Sequence, residues 1–446
     1  MRTAIVALFA LALGLSRQVE AQAPTPDAKC RFQIGHVDRT GTQLTVAPGI
    51  VNYFAGGDVF LYCLGTTTSM RSDSVASYGA TRTVEFIGHV VYTDTGSIVM
   101  KADRGTYFRD ADRWEARGHV ETVTIKSGST LTGPSLDYLR VVKGVRDTAE
   151  LYAVSRPTIH FVPTGRSGES REPYVIVADR VRMKGDDRVW AGGKVTIDRS
   201  DFAARSDSLR LDTGAGNDGT LIGDPVLRGL GRDSFNLTGV RIDLRFLNRS
   251  LDYVTAKGNG HAVSANLDLK ADTIGLDLEN EKLVQTLAWG DSLRPDAFSA
   301  DYRLRGDSMV FDTPAERLTE TRSFGKAWAG GQPDSIGGER DQIWGDTLVA
   351  RFGTEDSAGT QRTRVHELEA SNNARSYYRL APKQKGGRRS ISYVRGNHIL
   401  IQMKKEVEGV ARVDVRGQVE GVQLDPVEAR PDTTAADSTG KPRASQ

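Results

Sequence analysis

The chain reads as an all-β protein built from stacked antiparallel strands, and three observations carry that reading. Apolar and polar residues alternate with period two along most of the 446 residues, which places successive apolar side chains on one face of a strand. Helical periodicity is scarce, and its best stretch, residues 278–288, fits a strand and a turn equally well. Segments rich in Gly, Pro, Ser and charge, at 163–173, 214–219, 330–338, 353–359 and 382–390, separate the rows as turns would. Units of roughly 30 to 50 residues suit a few strands each rather than a helical solenoid, so about 30 strands in two opposed sheets are expected.

The N-terminus sets the compartment. Arg2, an apolar run over residues 3–15 and small residues at Val19 and Ala21 form a signal peptide over residues 1–21, cleaved after Ala21. Cleavage after Ala23 is the alternative, opposed by Pro24 beyond the scissile bond. No later segment approaches 18 uninterrupted apolar residues, so the mature chain is expected to be exported and soluble, meeting membranes only peripherally. Residues 22–70 form an N-terminal β unit that holds both cysteines, Cys30 and Cys63. In an exported chain they can bridge, closing a loop of about 34 residues worth roughly 3 to 4 kcal/mol; two free thiols are the alternative.

Repeats fill residues 71–295 and 296–424. A polar anchor opens each apolar row: Asp179 before Val181 and Met183, Asp207 before Leu209 and Leu211, and Asp272 before Ile274 and Leu276. Asp307 precedes Met309, Asp346 precedes Leu348 and Asn397 precedes Ile399, while weaker copies start at Asp73, Asp103 and Asp137. Between anchors lie rows centred on glycine: Phe86-Gly88-Val90, Ala116-Gly118-Val120, Ala191-Gly193-Val195 and Val415-Gly417-Val419. Glycine weakens a strand unless a bend or a close approach needs the missing side chain, and two readings stand: these glycines leave room on the inward face, or they mark bends in tightly twisted strands. Residues 425–446 are nearly devoid of apolar side chains and are expected to be a disordered tail.

This grammar resembles the OstA-like family, the β-jelly-roll proteins of the lipopolysaccharide-transport bridge. The resemblance rests on Lys101-Ala102-Asp103, Trp114 to Val120 and Leu131 to Tyr138, then on Val177-Ala178-Asp179 with Trp190 to Val195, and finally on Tyr393 to Asn397 with Val415 to Val422. It covers roughly residues 71 to 424 through many short, degenerate copies. It implies an elongated, half-open jelly roll whose inward face shields acyl chains across the periplasm. Seven groove candidates follow from the phase of the rows: Val90, Val120, Val195, Ile274, Met309, Leu348 and Ile399. The basic turn Lys383, Lys385, Arg388 and Arg389 is a candidate for lipid phosphates through charge-assisted bonds, or else a solvated hairpin tip.

Composition and motifs narrow the function classes. The 59 Lys+Arg against 57 Asp+Glu leave no basic excess for nucleic acid. The 26 % charged residues interleaved with Val, Thr and Leu exclude collagen, coiled coil and wholesale disorder. Residues 214–219 satisfy G-x-G-x-x-G, but no helix follows, so a hairpin turn is the reading. The seven histidines contain no H-E-x-x-H, so no metal or cofactor is expected. The sequence therefore points to a periplasmic lipid-binding bridge protein, not an enzyme. Its partners would be lipopolysaccharide or another amphipathic lipid, and other jelly-roll bridge proteins joined by edge-strand pairing. The rivals are an OstA-like paralogue, a structural or adhesive β-repeat protein without cargo, and a β-helix enzyme acting on polysaccharide.

Overall fold

Period-two alternation becomes strand nearly everywhere in a computed structural model. It describes residues 30–426 apart from 40, 143, 163–171, 231–233, 248–249, 266, 281, 300–301, 332–339, 358–359, 381–388 and 405–409. Residues 1–21, 427–446 and the basic residues Lys383, Lys385 and Arg388 thus lie outside the described residues. The described residues form thirty β-strands and a 3-10 turn at Pro314–Glu316, with no α-helix. Residues 278–288 resolve into the end of one strand, a turn and the next strand. The chain divides into two compact units, residues 1–128 with 132–152, and residues 129–131 with 153–446.

The first unit holds β1 (Phe32–His36), β2 (Gln43–Ala47), β3 (Ile50–Cys63), β4 (Thr68–Tyr78), β5 (Thr83–Asp94), β6 (Ile98–Phe108) and β7 (Arg113–Thr124). Most of β8 (Thr130–Leu139) and the start of β9 (Glu150–Val154) also belong to it. β3 to β7 form an antiparallel meander, with β1 and β2 paired to opposite halves of β3. Its core is aromatic: the Trp114 ring lies 5.1 Å from Phe86 and 5.0 Å from Tyr92, and Tyr92 lies 5.7 Å from Tyr138. The Cys30–Cys63 disulfide is formed, with 4.8 Å between the Cα atoms, and it ties the start of β1 to the end of β3. One ion pair is buried beside this core. The Tyr107 hydroxyl donates to Asp112, whose carboxylate lies 3.9 Å from Arg140 Nε, and Arg140 donates to Thr68 Oγ1 at 3.1 Å. Paired in this way, a charge tolerates burial that would otherwise cost several kcal/mol.

The second unit begins with β10 (Thr158–Phe161), β11 (Tyr174–Val177), β12 (Arg180–Lys184), β13 (Arg188–Asp198), β14 (Phe202–Asp212), β15 (Asp218–Ile222) and β16 (Val226–Gly229). It continues through β17 (Phe235–Thr238), β18 (Arg241–Leu247), β19 (Ser250–Ser264), β20 (Asp268–Glu279), β21 (Lys282–Trp289), β22 (Asp296–Phe298), β23 (Tyr302–Arg305) and β24 (Ser308–Asp312). The last strands are β25 (Glu320–Gly331), β26 (Gln342–Ser357), β27 (Thr360–Leu380), β28 (Ser390–Met403), β29 (Val410–Arg416) and β30 (Glu420–Leu424). Long strands such as β13, β19, β25 and β28 bend midway, so that one half pairs in each of two ladders.

Each ladder carries one unbroken inward row. In the first, register partners run Val181, Ala191, Leu209, Leu221, Ile242, Ala256, Ile274, Ala288, Met309, Ser323, Leu348, Ala370, Ile399 and Val415, across fourteen strands from β12 to β29. In the second they run Ile159, Ile176, Ile197, Ala204, Leu227, Leu237, Ala262, Leu269, Ala297, Leu304, Ala329, Ile343, Ser376 and Val394. All are buried except the half-buried Val415 and Val394 at the C-terminal end. At a spacing of roughly 4.8 Å per strand, each row has a contour of about 60 Å. Rings join the two faces: Tyr174 of β11 meets Phe246 of β18 at 6.5 Å, and Tyr302 of β23 meets Phe352 of β26 at 6.0 Å.

Candidate functional site

The bend in each long strand is made by the glycine that the sequence repeats. At Gly193 and Lys194 two consecutive residues take left-handed backbone, φ +80° and +47°, and the register with β14 jumps from Gly192 to Val195. Two residues bulge outward against the partner strand, which turns the strand from one ladder into the other. Asp179 closes the corner: its N–H donates to the Gly193 carbonyl at 2.8 Å, and a Cβ on Gly193 would fall 2.5 Å from its Oδ2. The same arrangement joins Asp73 with Gly88 and His89, Asp103 with Gly118 and His119, Asp307 with Gly325 and Lys326, and Asn397 with Gly417 and Gln418. At Asp346 the pair is Asn372 and Asn373, and the Asn373 amide donates to the carboxylate at 3.0 Å. The glycines therefore serve the bend, and the space they leave is taken by the anchor's own side chain rather than held open toward the interior.

Four groove candidates, Ile274, Met309, Leu348 and Ile399, fall on the first ladder's single row, each two residues after its corner anchor. Val195 lies beyond its corner, paired with Ser206 in the second ladder. Val90, paired with Ala102, and Val120 belong to the first unit. All seven side chains are at most 2 % exposed. Arg389 is exposed just before β28.

The interior has a stratification that the sequence reading missed. Small residues stand together in both ladders, as Ala256 with Ala262, Ala288 with Ala297, Ser323 with Ala329 and Ala370 with Ser376. Between them stand layers of large residues, Ile274 with Leu269, Met309 with Leu304 and Leu348 with Ile343. The signal was present in Lys326-Ala327-Trp328-Ala329-Gly330-Gly331, where every inward position is small. Two hydroxyls in the small layers, Thr321 Oγ1 and Ser376 Oγ, are buried without a hydrogen-bond partner.

On the outside of the corners, His89 Nδ1 lies 2.8 Å from Asp73 and His119 Nδ1 lies 2.7 Å from Asp103. The hydrogen bond to Asp73, reinforced by its charge, holds the His89 imidazole above its ordinary pKa. Among the described residues no three His, Cys, Asp or Glu side chains converge to hold a metal ion. No protein-family model matches the chain, and no curated protein matches it.

Proposed function

We propose that the protein is a passive lipid carrier of OstA-like type, exported to the periplasm, that receives acyl chains between the two inward rows of its second unit. The observation that carries this reading is the pair of unbroken rows, each about 60 Å in contour at strand spacing. An acyl chain of about twelve carbons costs on the order of 10 kcal/mol to leave in water, so a carrier between membranes needs a continuous apolar path. The small layers, Ala256 with Ala262, Ala288 with Ala297, Ser323 with Ala329 and Ala370 with Ser376, are where an entering methylene chain would displace the least side-chain volume. The unpartnered hydroxyls of Thr321 and Ser376 support access of a polar group, since an unpaired buried hydroxyl costs roughly 1 to 3 kcal/mol. The formed disulfide fits an oxidising compartment.

Edge strands are the proposed route to protein partners. β29 and β30 each pair with β28 alone among the described residues, and Val419, Val422 and Leu424 are more than half exposed there. An unpaired apolar edge is a template for strand addition by another chain.

A photo-crosslinking amino acid placed at Leu348 or Ile399 in cells is expected to capture a phosphorylated glycolipid, while one at Lys194, on the outside of a corner, is not. Leu348→Asp is expected to leave a folded protein with weakened lipid capture at Ile399. The structural rival expects a closed core, in which no position captures lipid and Leu348→Asp unfolds the unit. Equal capture at Lys194 would also defeat the assignment.

A further inference from the structure

The outward face of the second ladder carries a row as regular as the inward one. Asp296, Arg305, Trp328 and Trp344 are successive register partners on β22, β23, β25 and β26, so two tryptophans stand side by side next to an arginine. Beside them a cleft of about 610 Å³ is lined by Arg294, Asp296, Arg305, Lys326, Trp328 and Gln342. Its aromatic wall is held in place from both ends. The Trp328 Nε1 donates to Gln342 Oε1 at 3.1 Å, the Arg305 guanidinium sits 5.6 Å from the ring centroid, and the indole lies over Gly330, where a Cβ would come within 2.6 Å of it.

The charges around the cleft do not cancel. Arg294 is neutralised by Asp307 at 2.7 Å, while Arg303 and Arg305 share the single carboxylate of Asp296. Lys326 has no counter-ion among the described residues, and its corner carboxylate, Asp307, pairs with Arg294 instead. Arg294, Arg305 and Lys326 line the cleft against the single lining carboxylate of Asp296; with the partners Arg303 and Asp307 just outside it counted too, four cations against two carboxylates leave a net charge of +2.

We propose that this cleft binds a sugar ring bearing a phosphate monoester, with the ring against Trp328 and the phosphate between Lys326 and the arginines. A phosphate monoester carries about −1.5 to −2 at neutral pH, which matches the uncompensated charge better than a carboxylate does. An indole face offers a flat apolar surface to a ring's C–H groups, and the Gln342 amide hydrogen that is not donated to the Arg340 carbonyl is a donor for its hydroxyls. A volume of this size suits one substituted hexose. The inference stands apart from the lipid reading, because the cleft is on the outward face and the probe carries no acyl chain.

The test is calorimetric titration of the full chain with glucose 6-phosphate, glucose, glucuronic acid and inorganic phosphate. Glucose 6-phosphate is expected to bind at least about tenfold more tightly than each of the others. Lys326→Gln should reduce that binding about tenfold, and Trp328→Ala should abolish the preference over inorganic phosphate, both with unchanged far-ultraviolet circular dichroism. A phosphorylated glycolipid in detergent micelles forms the second arm. If Lys326→Gln weakens its binding equally, a lipid headgroup is a source of the ligand; if only the soluble sugar is affected, the source is free sugar phosphate. No binding of glucose 6-phosphate, binding no tighter than that of phosphate or glucuronic acid, or binding indifferent to Lys326→Gln overturns the proposal. Any of these results leaves crosslinking at Leu348 free to succeed or fail by itself.

Discussion

A side chain at Gly193 would meet two obstacles at once, and they set the scale of a first prediction. The left-handed backbone disfavours any β-carbon, and that carbon would sit 2.5 Å from Asp179 Oδ2 and 2.9 Å from its Cβ. Gly193→Ala is therefore expected to destabilise the second unit by about 1 to 3 kcal/mol or more in urea unfolding. Gly331→Ala in the same unit is the matched control, because a Cβ there meets only the Asp341 carbonyl oxygen, at 3.9 Å, and its backbone is not left-handed. Equal stability of the two variants would contradict the corner. At the exposed corner of Asp73 the same geometry becomes a proton equilibrium. Because the Asp73 bond favours the imidazolium of His89, the folded pKa lies above the ordinary value of about 6.5. The stabilisation is then fully present below the unfolded pKa and is lost as pH rises through the raised folded value. An NMR titration of the His89 ring should show a midpoint above that of an unpaired histidine, and Asp73→Asn should return it; a midpoint unmoved by the substitution would show that the pair does not form in solution.

At the scale of the strand, the inward face was legible because its period is two and each row starts two residues after an anchor, as in Asp272–Ile274 or Asp307–Met309. What periodicity cannot give is which strands are neighbours. Leu221 lies beside Ile242 because β15 pairs with β18 across the intervening β16 and β17, a pairing decided by the fold of four strands together. The glycines were ambiguous for a related reason. Gly88 or Gly193 in an apolar row has the same sequence signature whether it makes room or makes a bend, and only the φ angles and the facing carboxylate separate the two. Residues 353–359 read as a turn, yet β26 continues to Ser357, since Gly353 to Ser357 find register partners in residues 360–364. The cleft beside Trp328 was invisible to a reading of single strands. Its residues come from four segments whose outward faces meet only through pairing.

For the molecule as a whole, the division into two units gives the disulfide a specific consequence. Cys30 and Cys63 lie in the first unit, and Cys63 is the register partner of Phe32 in β1. Phe32 in turn packs against Phe86 at 6.2 Å and edge-on against Tyr107 at 5.2 Å, so the bridge holds one aromatic side chain of the first unit's core in place. β1 has five residues, of which four are exposed, and burial of Phe32 alone gives it little hold on the sheet. Opening the bridge releases the closed loop's entropy to the unfolded chain, worth roughly 3 to 4 kcal/mol for about 34 residues. The second unit contains neither cysteine and keeps its ladders intact. Reduction is therefore expected to lower the melting temperature of the first unit alone. Hydrogen exchange reports this directly: amides of β3 to β6 should lose protection after reduction, while those of β20, β24 and β26 keep theirs. The same outcome is expected for Cys30→Ser with Cys63→Ser, which excludes an effect of the reductant. Uniform loss of protection in both units would mean that they unfold as one cooperative body, and no loss in either would mean that pairing of Phe32 with Cys63 holds β1 without the bridge.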